Sequence, residues 1–208
     1  NLINIKDDGS FQLDMDYFDY CTGLKMTNNK FNKLFGGPPR KPESIISQKE
    51  MNLAASIQKV TEEVVIKLCA NIQKETGQNN LCLAGGVALN CVANGALIKK
   101  KIFSNIWIQP ASGDAGGAIG AALSIYYSML NNPRIISEKD KMSGSYLGPE
   151  YKHDEILKSL KELKANYKEY DIDSLYEEVA GFLSVGKAVG WMQGKMGFGP
   201  RALGNRSI

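Results

Sequence analysis

Apolar residues change their spacing several times along this chain, and each change predicts a different element. Between Gln48 and Thr76 the apolar positions Met51, Ala54, Ala55, Val60, Val64, Leu68 and Ile72 follow a roughly helical period. That period predicts one long amphipathic helix. Ser47 stands three residues ahead of Glu50, a capping-box pair, and Gly77 suits the residue that closes the far end. Leu81-Cys82-Leu83-Ala84 has no polar residue and predicts a short buried strand. Next come a tight turn at Gly85-Gly86, a helix over Val87–Lys100, a strand over Asn105–Gln109, a loop over Pro110–Asp114 and a helix over Ala115–Leu130. Asn131-Asn132-Pro133 stops that last helix. Strand, glycine turn, helix, strand, loop, helix is the pattern of an α/β fold. Upstream, a short strand, an Asp8-Gly9 turn and Phe11–Leu13 predict a hairpin, and Gly36-Gly37-Pro38-Pro39 predicts an extended loop. Downstream, Asp154–Lys164 and Ser174–Val185 read as helices and Ala188–Met192 as a strand.

Charge divides the chain more sharply than hydropathy does. From Leu81 to Pro133 the charged residues are Lys99, Lys100, Lys101 and Asp114, whereas charges are dense from Arg134 to Lys187. The first stretch reads as a domain core, the second as a boundary followed by surface helices. This predicts one domain over residues 1–133, a linker over 134–150 and the start of a second domain over 151–208. The 208 residues carry 25 Lys plus Arg against 22 Asp plus Glu, a net +3. That balance, with the cations spread rather than striped, argues against a nucleic-acid partner. The charge-free run Leu81–Ile98 has the length of a membrane span, but Gly85, Gly86, Asn90, Asn94 and Gly95 interrupt it, so no membrane partner is expected. Cys21, Cys69, Cys82 and Cys91 form no CxxC pair. They predict reduced core thiols of a cytoplasmic protein rather than a disulfide or zinc framework. The chain starts at Asn1 and stops inside a Gly/Arg-rich motif, as a piece of a longer protein would.

Three segments carry candidate chemistry. In Ala84–Asn90, two glycines between a strand and a helix let a ligand approach the backbone, and free N–H groups at a helix start favour an anion. Asn90 and Asn94, four residues apart, share a helix face and offer donors and acceptors to a nucleotide. The competing reading is a plain turn, glycine-rich for strand–helix packing. In Pro110–Gly117, Asp114 is the one acid between Leu81 and Pro133 and stands at a strand-to-helix loop, where ligands gather in α/β folds. A carboxylate there can hold a metal that bridges phosphates, or it can be merely the helix N-cap. Gly116, Gly117 and Gly120 weaken that helix by roughly 1 kcal/mol each relative to Ala, unless a close neighbour offsets the loss. In Gln193–Ser207, Lys195, Arg201 and Arg206 sit on a Gly-rich frame. Such a frame suits an oxyanion of a small phosphorylated substrate, a solvated basic turn being the alternative.

Taken together, AGGVALN (84–90), SGDAGGAIGAAL (112–123) and above all GFGPRALGNRS (197–207) resemble motifs of the O-carbamoyltransferase family, NodU/CmcH type. So do the F-x-LD-x-x-YF pattern of Phe11–Phe18, KF-x-x-LFG-x-P of Lys30–Pro38 and Pro42-Glu43-Ser44. The resemblance implies a partial actin/sugar-kinase-like ATPase fold, related to the tRNA threonylcarbamoyl-transferases, followed by the start of a second α/β domain. It implies a reaction in which ATP and carbamoyl phosphate give carbamoyl-adenylate, whose carbamoyl group passes to a hydroxyl of a small molecule. By motif, Gly85, Gly86, Asn90, Gly116 and Gly117 would border the nucleotide. Lys195, Arg201 and Arg206 would hold carbamoyl phosphate, and Asp114 would ligate a divalent metal, iron by resemblance. Two departures matter. The family's metal site adds two histidines spaced HxxxH, whereas this chain has one histidine, His153, in the charged region. Position 197 is Gly where the family usually has Glu. The resemblance therefore predicts weak or absent metal binding and an inactive fragment of an active enzyme. A relative of the tRNA threonylcarbamoyl-transferases and a non-catalytic nucleotide-binding module are the alternatives.

Overall fold

The computed structural model describes residues 2–201 and 204–207 and is a mixed α/β structure of helices and small two-stranded sheets. It divides into two compact units, residues 1–83 with 90–107 and residues 84–89 with 108–208.

The first unit opens with an antiparallel hairpin, β1 (Ile3–Ile5) and β2 (Phe11–Leu13), in the register Ile3↔Leu13 and Ile5↔Phe11. Its turn is the predicted Asp8-Gly9. Asp8 accepts the Ser10 N–H at 2.9 Å, and Gly9 takes φ +85°. A Cβ on Gly9 would lie 2.3 Å from the Leu68 backbone nitrogen, so only glycine lets the turn seat on the next long helix. After α1 (Asn29–Leu34) comes that helix, α2 (Gln48–Thr76), over the range its period predicts. The Glu50 carboxylate accepts both the N–H and the hydroxyl of Ser47, at 2.9 and 2.5 Å, and Gly77 closes the helix at φ +64°.

Strands β3 (Asn80–Leu83) and β4 (Asn105–Ile108) are hydrogen-bonded neighbours, and α3 (Cys91–Lys100) connects them. The core is Cys69 of α2, Leu97 of α3 and Phe103, with Val65, Leu81, Leu83, Ile102 and Ile106 packed around it. The apolar run at β3 predicts burial on both faces, yet Leu81 and Leu83 face the core while Asn80 and Cys82 are exposed. Helices cover one side of this small sheet, so only alternate residues are sheltered. The same geometry corrects the cysteine expectation. All four are free thiols, but Cys69 alone is buried, and its burial pushes the thiol pKa up.

In the second unit, Gly86–Leu89 is a single 3₁₀ turn. The helix expected to begin at Val87 starts instead at Cys91, in the first unit, because the Asn90 carboxamide oxygen caps it through the Ala93 N–H at 3.0 Å. Helix α4 (Asp114–Ser124) passes into a π-type turn over Ile125–Met129, where a continuous helix to Leu130 was expected. Then follow α5 (His153–Glu162) and α6 (Ile172–Ser184), the latter capped by Asp171 on the Ser174 N–H at 3.0 Å. The strand expected over Ala188–Met192 is limited to β5 (Trp191–Met192), antiparallel to β6 (Arg206–Ser207).

Candidate functional site

Two of the three candidate segments are joined by a main-chain hydrogen bond. The Gly85 N–H donates to the Ser112 carbonyl at 2.7 Å, tying the turn after β3 to the loop before α4. Gly85 holds φ +95°, a conformation that L side chains rarely adopt. A Cβ on Gly85 or Gly86 would meet nothing within 4 Å. The turn conformation thus accounts for Gly85, and no neighbour presses on either glycine. What the pair leaves is an open stretch of backbone.

In the adjoining loop, Gly113 is the N-cap of α4 and no side chain caps it. Asp114 is the first helical residue, so the N-cap reading of Asp114 fails. Its carboxylate is exposed at the positive end of the helix. Gly116 is required locally, because a Cβ there would lie 2.2 Å from the Ala111 carbonyl oxygen. Gly117 faces open space. Ser112 is buried, 6% exposed, and its hydroxyl oxygen finds no hydrogen-bond partner among the described residues. An orphaned buried hydroxyl carries a free-energy cost, which a bound acceptor or donor would relieve.

The third segment reaches the same loop. Gly199, at φ +116°, lies so close that a Cβ on it would sit 3.2 Å from the Cα of Ala111. The segment is braced internally: the Gln193 N–H donates to the Asn205 carbonyl at 3.0 Å, and the Asn205 amide donates to the Lys195 carbonyl at 2.8 Å. Lys195 and Arg201 are exposed and have no ion-pair partner among the described residues. Arg206 contributes its backbone to β6 opposite Met192, and its side chain lies outside the described residues. Gly85, Gly86, Asp114, Gly116, Gly117, Lys195 and Arg201 thus stand on three segments that converge on Ala111-Ser112.

Asn90 is differently placed, in the first unit. Besides capping α3, its carboxamide makes a two-way amide pair with Gln58 of α2, at 2.8 and 3.2 Å. Its polar atoms are engaged within the fold. Asn94 is buried, 7% exposed. No three His, Cys, Asp or Glu side chains gather into a metal-binding group among the described residues. His153 is on α5, with its Nε2 3.6 Å from Glu169. The residues present therefore do not compose the metal site that the resemblance attaches to Asp114.

Sequence reasoning passed over Ser112, whose importance lies in a missing partner that no pattern reveals. It also passed over Ser145 and Gly148, which bond to the third segment. The Gly148-Pro149 pair inside a polar tract was the one available signal.

Comparison with known proteins bears on all three segments. Residues 1–123 match the family described as carbamoyltransferase N-terminus, and residues 180–208 match carbamoyltransferase C-terminus. An uncharacterized protein of Synechocystis is 57% identical over 210 residues, covering 100% of this chain and 34% of its own length. The nodulation protein NolO of Bradyrhizobium diazoefficiens is 39% identical over 165 residues, 78% of this chain and 29% of that protein. The 3'-hydroxymethylcephem-O-carbamoyltransferase of Streptomyces clavuligerus is 27% identical over 164 residues, again 78% of this chain and 29% of that protein. The chain thus spans about a third of the length of these curated relatives.

Proposed function

The chain belongs to the carbamoyltransferase family, and from that premise we propose that the whole protein is an O-carbamoyltransferase using ATP and carbamoyl phosphate. In the first step carbamoyl phosphate gives up its phosphate, the carbamate oxygen joins the α-phosphorus of ATP and pyrophosphate leaves, giving carbamoyl-adenylate. A hydroxyl of a small molecule then takes the carbamoyl group and AMP leaves. The fold proposed for the segments around β3, β4 and α4 is part of an actin/sugar-kinase-like ATPase domain. The β5–β6 region would begin the carbamoyl-adenylate-forming domain.

The observation that carries the reading is the convergence of three ligand-ready segments on Ala111-Ser112. Gly85 and Gly86 offer open backbone, and the start of α4, which no side chain caps, offers main-chain N–H groups and a positive dipole end. Both suit nucleotide phosphates. Gly116 and Gly117 would line the same cradle, and the Ser112 hydroxyl would gain its missing partner there. Lys195 and Arg201, with free charged heads, suit the phosphate of carbamoyl phosphate, and Arg206 is assigned with them by motif. Asn90 enters as a nucleotide contact by motif alone.

The chemistry needs these donors. A carbamoyl carbonyl is a weak electrophile, because the amide nitrogen feeds electrons into it. Joining it to AMP supplies a better leaving group. Charge then develops on phosphoryl and carbonyl oxygens, and fixed N–H and cationic donors stabilise it without reorganising. Asp114 could serve a divalent metal only if further ligands joined it, so no step is assigned to a metal. The four free thiols suit a reducing, cytoplasmic setting.

The test is pyrophosphate release by the full-length protein with ATP alone, carbamoyl phosphate alone, and both. Release that requires both is the expected result. Release from ATP that ignores carbamoyl phosphate would reject the reading.

A further inference from the structure

Residues 134–150 read as a linker from their charge, yet their last part is built into the third candidate segment. The Phe198 N–H donates to the Ser145 carbonyl at 2.6 Å, and the Ser145 hydroxyl donates back to the Phe198 carbonyl. The Gly148 N–H donates to the Met196 carbonyl at 2.9 Å, and the Met196 N–H donates to the Pro149 carbonyl at 3.0 Å. Position 145 pairs with 198 while 148 and 149 pair with 196. The two stretches therefore run antiparallel, like a short ladder outside any regular sheet.

Two features make this contact specific. Gly148 admits no side chain, because a Cβ there would lie 2.6 Å from the Met196 carbonyl oxygen and 2.9 Å from its Cβ. Ser145 is fully buried, 0% exposed, and holds φ +73°, a left-handed conformation that is unfavourable for a residue other than glycine. The bend leading into it is tied by Asp140, whose carboxylate accepts the Met142 and Gly144 N–H groups at 2.9 and 2.8 Å. Such a backbone persists where surrounding contacts over-determine it. On its other side, the segment is stopped by Ala111 at Gly199.

The paired stretch Met196–Phe198 lies between the two described cations. Lys195 immediately precedes it and Arg201 follows three residues after it. The backbone between the cations is therefore held from both sides, while their charged heads stay exposed and without an ion-pair partner among the described residues. A fixed base with free donors is what oxyanion recognition requires.

We propose that Ser145–Pro149 is a positioning strap for the carbamoyl phosphate loop, with Ser145 and Gly148 as its positioning residues. They set where Lys195 and Arg201 meet the substrate's phosphate without touching it. This deepens the function proposed above and rests on it.

The test uses the full-length protein and the KM values for carbamoyl phosphate and ATP, measured separately by pyrophosphate release. Ser145→Ala keeps the backbone bonds and loses the hydroxyl. It is expected to raise the KM for carbamoyl phosphate about tenfold, as for loss of one buried hydrogen bond, with the KM for ATP within about twofold. Ser145→Gly relieves the backbone strain without restoring the hydroxyl, so it should not recover the lost affinity. Gly148→Ala should weaken carbamoyl phosphate further, by pushing the strap off Met196. If that variant does not fold, the two Ser145 variants still decide. Equal losses toward both substrates, or full recovery in Ser145→Gly, would overturn the strap while leaving the function intact. A wild-type enzyme indifferent to carbamoyl phosphate would overturn both.

Discussion

The Ser112 hydroxyl sits at the meeting point of three segments, buried and without a partner among the described residues. Its cost in the free protein and its value in a complex have opposite signs, and that separates a ligand contact from a packing residue. Ser112→Ala deletes an unsatisfied polar atom, so the unliganded full-length protein should be stabilised by about 1 kcal/mol. Under the proposed function the same change would also remove a hydrogen bond to bound nucleotide, so ATP affinity should fall by roughly fivefold to tenfold. Thermal unfolding with and without ATP reads both effects: the variant should melt higher without ATP and gain less from it. A variant that melts lower in both conditions would assign Ser112 to packing alone. Asn90 makes the complementary point. Its residue type suits a nucleotide, but its amide is engaged by Gln58 and the start of α3. Sequence shows what a side chain can bond to, not which of its bonds the fold has already taken.

At the scale of elements, legibility follows how local the determining interaction is. Helix α2 matches its predicted range because both ends are written within a turn of the boundary, by Ser47 with Glu50 and by Gly77. The capping carboxylate also makes a testable pH signature. Hydrogen bonds from the Ser47 hydroxyl and N–H hold the Glu50 carboxyl below its ordinary value of 4.5. A folded-state pKa below the unfolded one adds stability at higher pH, lost as the pH falls through the depressed value. Glu50→Gln should therefore melt slightly below the native chain at pH 7, with the gap shrinking as the pH falls below 4.5 through the depressed value, a trend that calorimetry would follow. A gap that does not change with pH would place the effect in packing rather than in ionisation. Elements with non-local determinants were less legible. The exposed face of β3 depends on what covers the sheet, and the short β5 depends on its pairing with β6, fourteen to sixteen residues downstream. The strap is least visible of all, since its partner lies about fifty residues away.

At the scale of the molecule, exposed apolar residues concentrate along α4 and the turn that follows it. Helix α4 carries no charged residue after Asp114 and none of its residues is buried, while Leu123, Ile125, Met129 and Leu130 are each between 47% and 72% exposed. A helix that is apolar on all sides belongs inside a core, and a contiguous exposed apolar patch marks a covered surface. The 208-residue chain by itself should therefore bind a hydrophobic dye such as ANS and associate with rising concentration, as light scattering would register. Replacing Leu123 and Leu130 with Gln should reduce both signals without lowering the melting temperature, since neither side chain is buried. The Gly85–Ser112 and Gly199–Ala111 junctions do not draw on that apolar face, so any protection of the loops that ATP gives under the proposed function should survive the substitutions in hydrogen exchange. A chain that stays monomeric and dye-free at high concentration would show that α4 covers its own apolar surface in solution, in an arrangement different from the one described.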